Sequence, residues 1–96
     1  MTPIKRAILI SMKDNVATVL APVQISDSVL IMYDNDVITD VCAVEDIAMY
    51  HKIAIEPIQM GANVYKYGEA IGKARDFIYK GQHVHIHNIG SLMIKK

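Results

Sequence analysis

No β-type run in this chain goes further than nine residues before turn-forming residues interrupt it, and that spacing limits the fold more than any other feature. The runs are "IKRAILI", "NVATVL", "SVLIMY", "DVITDVCAV", "KIAIEPI", "NVYKYG" and "HVHIHNIG", all rich in Val, Ile, Thr and Tyr. Those side chains suit a pleated, half-buried surface. Between them stand Lys13-Asp14-Asn15, Ser26-Asp27-Ser28, Asp34-Asn35-Asp36, Met60-Gly61 and Lys80-Gly81, all turn chemistry. Tyr33-Asp34-Asn35-Asp36 reads as a tight hairpin connection, because Asp and Asn tolerate a left-handed backbone. Glu45 to Tyr50 and Gly72 to Tyr79 are the two stretches that read as short helical turns. Neither reaches the roughly 12 residues at which an isolated helix becomes stable. The expectation is an all-β domain, mainly antiparallel, with one or two short helical turns, occupying residues 1–96 as a single unit.

Ten basic and ten acidic residues cancel, which removes the usual electrostatic case for nucleic acid. No apolar run approaches the roughly 20 residues that cross a bilayer, so no membrane is expected. The opening "MTPIKRAILISMKDN" lacks the apolar length and the small-residue cleavage site of a signal peptide. Cys42 is the single cysteine. It excludes an internal disulfide, fits a reducing cytoplasm, and reads as a small buried apolar residue. At 52% hydrophobic the chain can bury a modest core and can also self-associate as a homo-oligomer.

The chain carries an internal echo. "AIEPIQMGANVYKYG" (54–68) and "ARDFIYKGQHVHIHN" (74–88) match at an offset of 20: Ala54 with Ala74, Glu56 with Asp76, Ile58 with Ile78, Gly61 with Gly81, Val64 with Val84. The shared pattern reads as an apolar residue before a tight turn, a Gly supplying positive φ, and a strand leaving the turn. In this register Tyr65 and Tyr67 stand where His85 and His87 stand.

Three of the four histidines lie in "GQHVHIHN" (81–88). On a strand, alternation would aim His83, His85 and His87 to one side, and Val84, Ile86 and Asn88 to the other. Imidazoles at i and i+2 are close enough to share Zn²⁺ or Fe²⁺, but two ligands do not complete a site. Further ligands are available in His51, Glu56, Glu69 and Asp76, none fixed by spacing, and His85 and His87 are the weak metal candidates of the run itself. A substrate- or subunit-facing polar ridge and a plain polar sheet face are the other readings. Asn88 caps the run by ordinary turn chemistry. In "KYGEAIG" (66–72), Lys66 offers a point charge to a carboxylate, and Gly68 and Gly72 leave room for backbone amides to approach an anion. A strand ending in a turn with an exposed Lys explains the same residues. "GEAIG" is no phosphate loop, lacking the Gly-Lys-Ser/Thr ending.

"HKIAIEPIQMGANVYKYGEAIGKARDFIYKGQHVHIHN" resembles the SAF-type β-clip domain of the altronate dehydratase and galactarate dehydratase family, which is also related to the small subunit of sulfolactate sulfo-lyase. The resemblance is carried by His51, Lys52, Ala54, Ile58, Gly61, Val64, Lys66, Tyr67, Gly68, Ile71, Gly72, Ala74, Ile78, Gly81, His83, Val84, His85, His87 and Asn88. Asp14-Asn15-Val16-Ala17 resembles the family's early D-N-V-A segment, and residues 20 to 48 are only loosely constrained. The family usually has Gly where Tyr50 stands, so a positive-φ turn there would be strained by Tyr.

The resemblance implies a SAF-type β-clip fold and a role as the small subunit or N-terminal domain of a lyase acting on an acidic 2-hydroxy substrate. Such a lyase removes water by β-elimination and is active only with a large catalytic partner. It implies His83, His85 and His87 as groups that contact a sugar-acid substrate or move protons, with Lys66, Asn88 and His51 binding the substrate. It also implies a divalent metal, iron or similar, held mainly by the large partner. SAF-type β-clips also occur in sialic acid synthases and flagellar chaperones, so a non-catalytic carbohydrate-binding or assembly module is the alternative.

Overall fold

The computed structural model describes residues 4–91. Its strands are β1 (Lys5–Ile8), β2 (Val16–Val19), β3 (Ser28–Tyr33), β4 (Asp36–Cys42), β5 (Lys52–Ala54), β6 (Asn63–Lys66), β7 (Glu69–Ala74), β8 (His83–Val84) and β9 (Ile89–Gly90). They form a six-stranded sheet in the order β4-β3-β1-β2-β5-β8 and a three-stranded sheet in the order β6-β7-β9. All pairings are antiparallel except β1 with β3. The all-β expectation holds; the helical turns do not. Glu45–Tyr50 and Gly72–Tyr79 are bends, turns and strand. Each places one apolar residue in an isolated bridge instead, Ile47 with Val23 and Ile78 with Ile58. Those long-range backbone bonds satisfy groups that a single helical turn would leave half unpaired.

The two bridges are the centres of a repeated device. Ile58 and Ile78 exchange reciprocal N–H···O bonds of 2.9 and 2.8 Å, while Gly61 N–H donates to Ala74 O and Gly81 N–H to Ala54 O, both at 2.8 Å. Val23 and Ile47 exchange the same pair at 2.8 Å, with Ser26 N–H donating to Ala43 O at 2.8 Å and Tyr50 N–H to Val19 O at 2.9 Å. Each unit holds a four-residue turn closed by an i to i+3 bond: Gln24–Asp27, Ala48–His51, Gln59–Ala62 and Tyr79–Gln82. Its third residue has positive φ: Ser26 78°, Tyr50 68°, Gly61 85° and Gly81 89°. These are type II turns. The echo visible in the sequence is therefore half of a fourfold pattern. Its other half was hidden because Ser and Tyr occupy the position where Gly is diagnostic.

The core divides where β2 and β5 run between the halves. Ala7, Leu9, Val19, Val29, Ile31, Ile47 and Ile53 pack on one side. Val16, Ala54, Ile58, Val64, Ala74, Ile78 and Val84 pack on the other. Cys42 lies outside both and is exposed, against the buried reading from sequence. β4 is an edge strand with one outer face in water, so that position falls on the open side.

Two hairpins have type I′ connections, in which both central residues take positive φ. Asp34 (51°) and Asn35 (71°) join β3 to β4, and Tyr67 (60°) and Gly68 (75°) join β6 to β7. The second hairpin is pinned from afar. Asp14, 4% exposed, accepts from Tyr67 N–H at 3.0 Å and Gly68 N–H at 2.8 Å. Asn15 accepts from Tyr65 N–H at 2.8 Å and donates to Asn63 O at 3.0 Å. Asp14 and Asn15 are thus a buried clamp on the strand that carries Lys66. The Gly68 amide is engaged by that clamp. At Gly72 a Cβ would stand 2.5 Å from Gly90 O, so the close approach there is to β9.

Candidate functional site: a histidine cluster

The histidine run is not one strand. β8 ends at Val84, and His85–Asn88 form a turn before β9. Asn88 causes the break. It is 3% exposed, its Oδ1 accepts from His85 N–H at 2.9 Å, and its Nδ2 donates to His83 O at 2.8 Å. Asn88 and Ile89 N–H both donate to His85 O at 3.1 Å. The amide side chain replaces two ladder bonds and folds the chain back on itself. Both of its polar ends are used in holding His83 and His85.

The turn gathers the imidazoles that alternation was expected to align, and it adds a fourth. His51 leaves the Ala48–His51 turn at the start of β5, the strand that pairs with β8. Its Nδ1 lies 2.9 Å from His83 Nε2. Ring centroids are 4.0 Å apart for His51 and His85, 5.1 Å for His51 and His83, and 5.6 Å for His83 and His85, all stacked within 24°. His87 lies tilted, 5.0 Å from His83. His51, His83 and His85 are half-buried, and His87 is exposed. The His83 imidazole is pushed down to about 4, first by burial and then by the positive charge its neighbours His87, His51, His85 and Lys52 would carry. His85 is lowered for the same reasons, burial first, then His51, Lys52 and His87. At neutral pH both are uncharged and offer a lone pair.

Of the six expected site residues, His51, His83, His85 and His87 meet in this cluster. Asn88 lies beneath it, and Lys66 stands off to one side with its Nζ 4.8 Å over the Tyr67 ring. Glu56, Glu69 and Asp76 take no part in the histidine groups. Two residues had no reading as site residues in the sequence. Lys52, half-buried, connects the parts: its ammonium is disfavoured by burial and by Lys66, and its own charge acts on His83 and His85. Glu45 accepts from His83 N–H at 3.1 Å. Only pairing of β5 with β8 and closure of the Ala43–Tyr50 bends bring these residues in, so no local signal marked them.

Chemically the face offers the uncharged imidazoles of His83 and His85 beside the Lys52 ammonium, and neither Lys52 nor Lys66 has a carboxylate at ion-pair distance among the described residues. The donor set also fits a divalent metal: His51, His83 and His85 have ligand atoms within 4.8 Å of one another, and His85 Nδ1 is buried with no hydrogen-bond partner. A second group, Glu45, His83 and His87, shares His83.

Residues 5–92 match the family model described as the SAF domain of altronate and galactarate dehydratases. The chain belongs to that family. An altronate dehydratase from Escherichia coli (strain K12) is 43% identical over 75 residues, 78% of this chain and 14% of that protein. Another from Bacillus subtilis (strain 168) is 43% identical over 44 residues, 46% of this chain and 9% of that protein. The chain therefore spans a small part of the length of these relatives, and the four-turn β-clip described above is the fold of the SAF domain here. No helix among the described residues is long and apolar enough to cross a membrane.

Proposed function

We propose that this SAF domain is the substrate-facing small part of a cytoplasmic sugar-acid dehydratase, working against a larger catalytic subunit or domain. The carrying observation is the meeting of His51, His83, His85 and His87 on one face, with Lys52 in electrostatic reach of His83 and Lys66 in reach of Lys52. The substrate class is a 2,3-dihydroxy acid such as altronate or galactarate. Lys66 and Lys52 attract the carboxylate. An imidazole of the cluster takes the proton at C2, whose electron pair becomes the C2=C3 bond. The C3 hydroxyl leaves with a proton from a second acid, as water, and the enol tautomerises to a 2-oxo-3-deoxy acid. A divalent ion, when bound, supplies charge stabilisation for the developing enolate.

Ile86, between His85 and His87, is 77% exposed and stands at the tip of the turn, where a covering partner would meet it. A partner that seals this turn would exclude water and strengthen the electrostatics beneath.

The test mixes the chain with a large subunit or domain of the same family and follows 2-oxo-acid formation from altronate and galactarate. Neither part alone should turn over, and His83→Ala or His85→Ala should cost about 10²–10⁴-fold in kcat while the complex still forms. A complex whose turnover ignores both changes would make the domain a non-catalytic carbohydrate-binding or assembly module.

A further inference from the structure

We infer that His51, His83 and His85 form a three-histidine site for a divalent transition metal, held by this chain itself with one coordination position left open. The family resemblance implies a metal held mainly by the large partner; the three imidazoles add a site on this chain.

Four observations carry it. The three ligand atoms lie within 4.8 Å of one another, and ligands each about 2.0–2.1 Å from a tetrahedral ion stand about 3.3–3.4 Å apart, so the nitrogens are near coordination spacing and the stacked rings turn out of parallel to aim their lone pairs at one ion. The contact of 2.9 Å between His51 Nδ1 and His83 Nε2 can hold one proton, and replacing that proton by an ion engages both lone pairs. His85 Nδ1 is buried without a partner among the described residues. Such an atom is a net cost to the fold unless something binds there. Finally, the cluster has outer supports. Val19 N–H donates to His51 O at 2.9 Å, Glu45 receives His83 N–H, and Asn88 grips both His83 and His85. Backbones held in this way fix where the three rings start from the chain.

Three imidazoles and no carboxylate select Zn²⁺, Fe²⁺, Co²⁺ or Ni²⁺ over Mg²⁺ and Ca²⁺. Three protein ligands rather than four leave a position for water or a substrate oxygen. The rival set of Glu45, His83 and His87 shares His83, so the two sets cannot each hold an ion through the same nitrogen. His87 is exposed, and the Glu45 carboxylate already receives the His83 amide. The half-buried trio is therefore the better site.

The site uses the face assigned to dehydration but does not depend on that activity. The metal-stripped chain is titrated with Co²⁺, reading the visible bands of four-coordinate cobalt with no substrate present. One equivalent should bind, and His51→Ala and His85→Ala should each weaken it by more than the roughly 10- to 100-fold that loss of an outer support costs. Circular dichroism checks that the variants fold. In unaltered chain, Zn²⁺ should shift the ring-nitrogen resonances of His51, His83 and His85, which keeps the test decisive if a variant unfolds. No saturable Co²⁺ binding overturns the inference, as does a zinc titration that leaves the His51 ring unmoved. It is equally overturned if Glu45→Gln and His87→Ala abolish binding while His51→Ala does not. Any of these results leaves the dehydratase assay to stand or fall separately.

Discussion

Tyr50 occupies, at φ 68°, the turn position that Gly61 and Gly81 fill in the equivalent units, and a substitution series across these turns yields signed magnitudes. An L-residue in the left-handed region carries about 1–2 kcal/mol of strain. Tyr50 is 65% exposed, so its ring contributes little burial. Replacing it with Gly releases the strain but loosens the unfolded chain by about 0.5–1 kcal/mol. Tyr50→Gly should therefore stabilise the domain by about 0.8 kcal/mol at the middle of both ranges, or about 3–6 °C in Tm for a domain of this size. The bond from Tyr50 N–H to Val19 O survives, so His51 stays in place. Gly61→Ala runs the exchange backwards with nothing within 4 Å of the new methyl, and should cost about 1 kcal/mol. Gly81→Ala adds a Cβ 2.1 Å from the backbone oxygen of Cys42, in the segment where Val44 N–H donates to Gly81 O. Backbone on both sides has little room to yield, and the cost should exceed that of Gly61→Ala by about 2 kcal/mol or more. Urea unfolding followed by circular dichroism measures all three. A destabilised Tyr50→Gly would refute the equivalence of the turns, and equal losses at Gly61 and Gly81 would refute the close approach of Gly81 to Cys42.

Asn88→Ala strips the acceptor from His85 N–H and the donor from His83 O, and should cost about 1–3 kcal/mol in urea unfolding while spreading the His51, His83 and His85 ring resonances. Asp14→Asn turns one of the clamp's acceptor oxygens into a donor facing Tyr67 or Gly68 N–H, so hydrogen exchange at those two amides should accelerate and stability fall by about 1–3 kcal/mol. In the metal-free chain, acid should destabilise the fold. His83 is lowered from 6.5 to about 4 in the folded state, so the unfolded state binds more protons between those values. The stability is present above pH 6.5 and is lost as pH falls toward 4. Solvent screening at a partly exposed site reduces it to the order of 1 kcal/mol, and His83→Gln should flatten that part of the urea-midpoint profile.

The sequence by itself determined what is local. Asp34-Asn35 specifies a type I′ turn through residues that tolerate positive φ, and Gly61 and Gly81 mark two of the four type II turns. Alternating Val and Ile fix which side chains enter the core, and the spaced motifs from His51 to Asn88 identify the family over most of the described chain. Tertiary structure decided what depends on partners far along the chain. Glu45–Tyr50 and Gly72–Tyr79 have short helical patterns, yet Ile47 and Ile78 each found a reciprocal backbone partner about 20 residues away, and one helical turn cannot compete with that. Asn88 broke the expected histidine strand, because a buried amide satisfies two backbone groups at once. The fourth imidazole and the ammonium beside it, His51 and Lys52, come from the strand that pairs with β8. A pairing register brings them beside His83 and His85, and single-residue spacing carries no trace of a register set between strands.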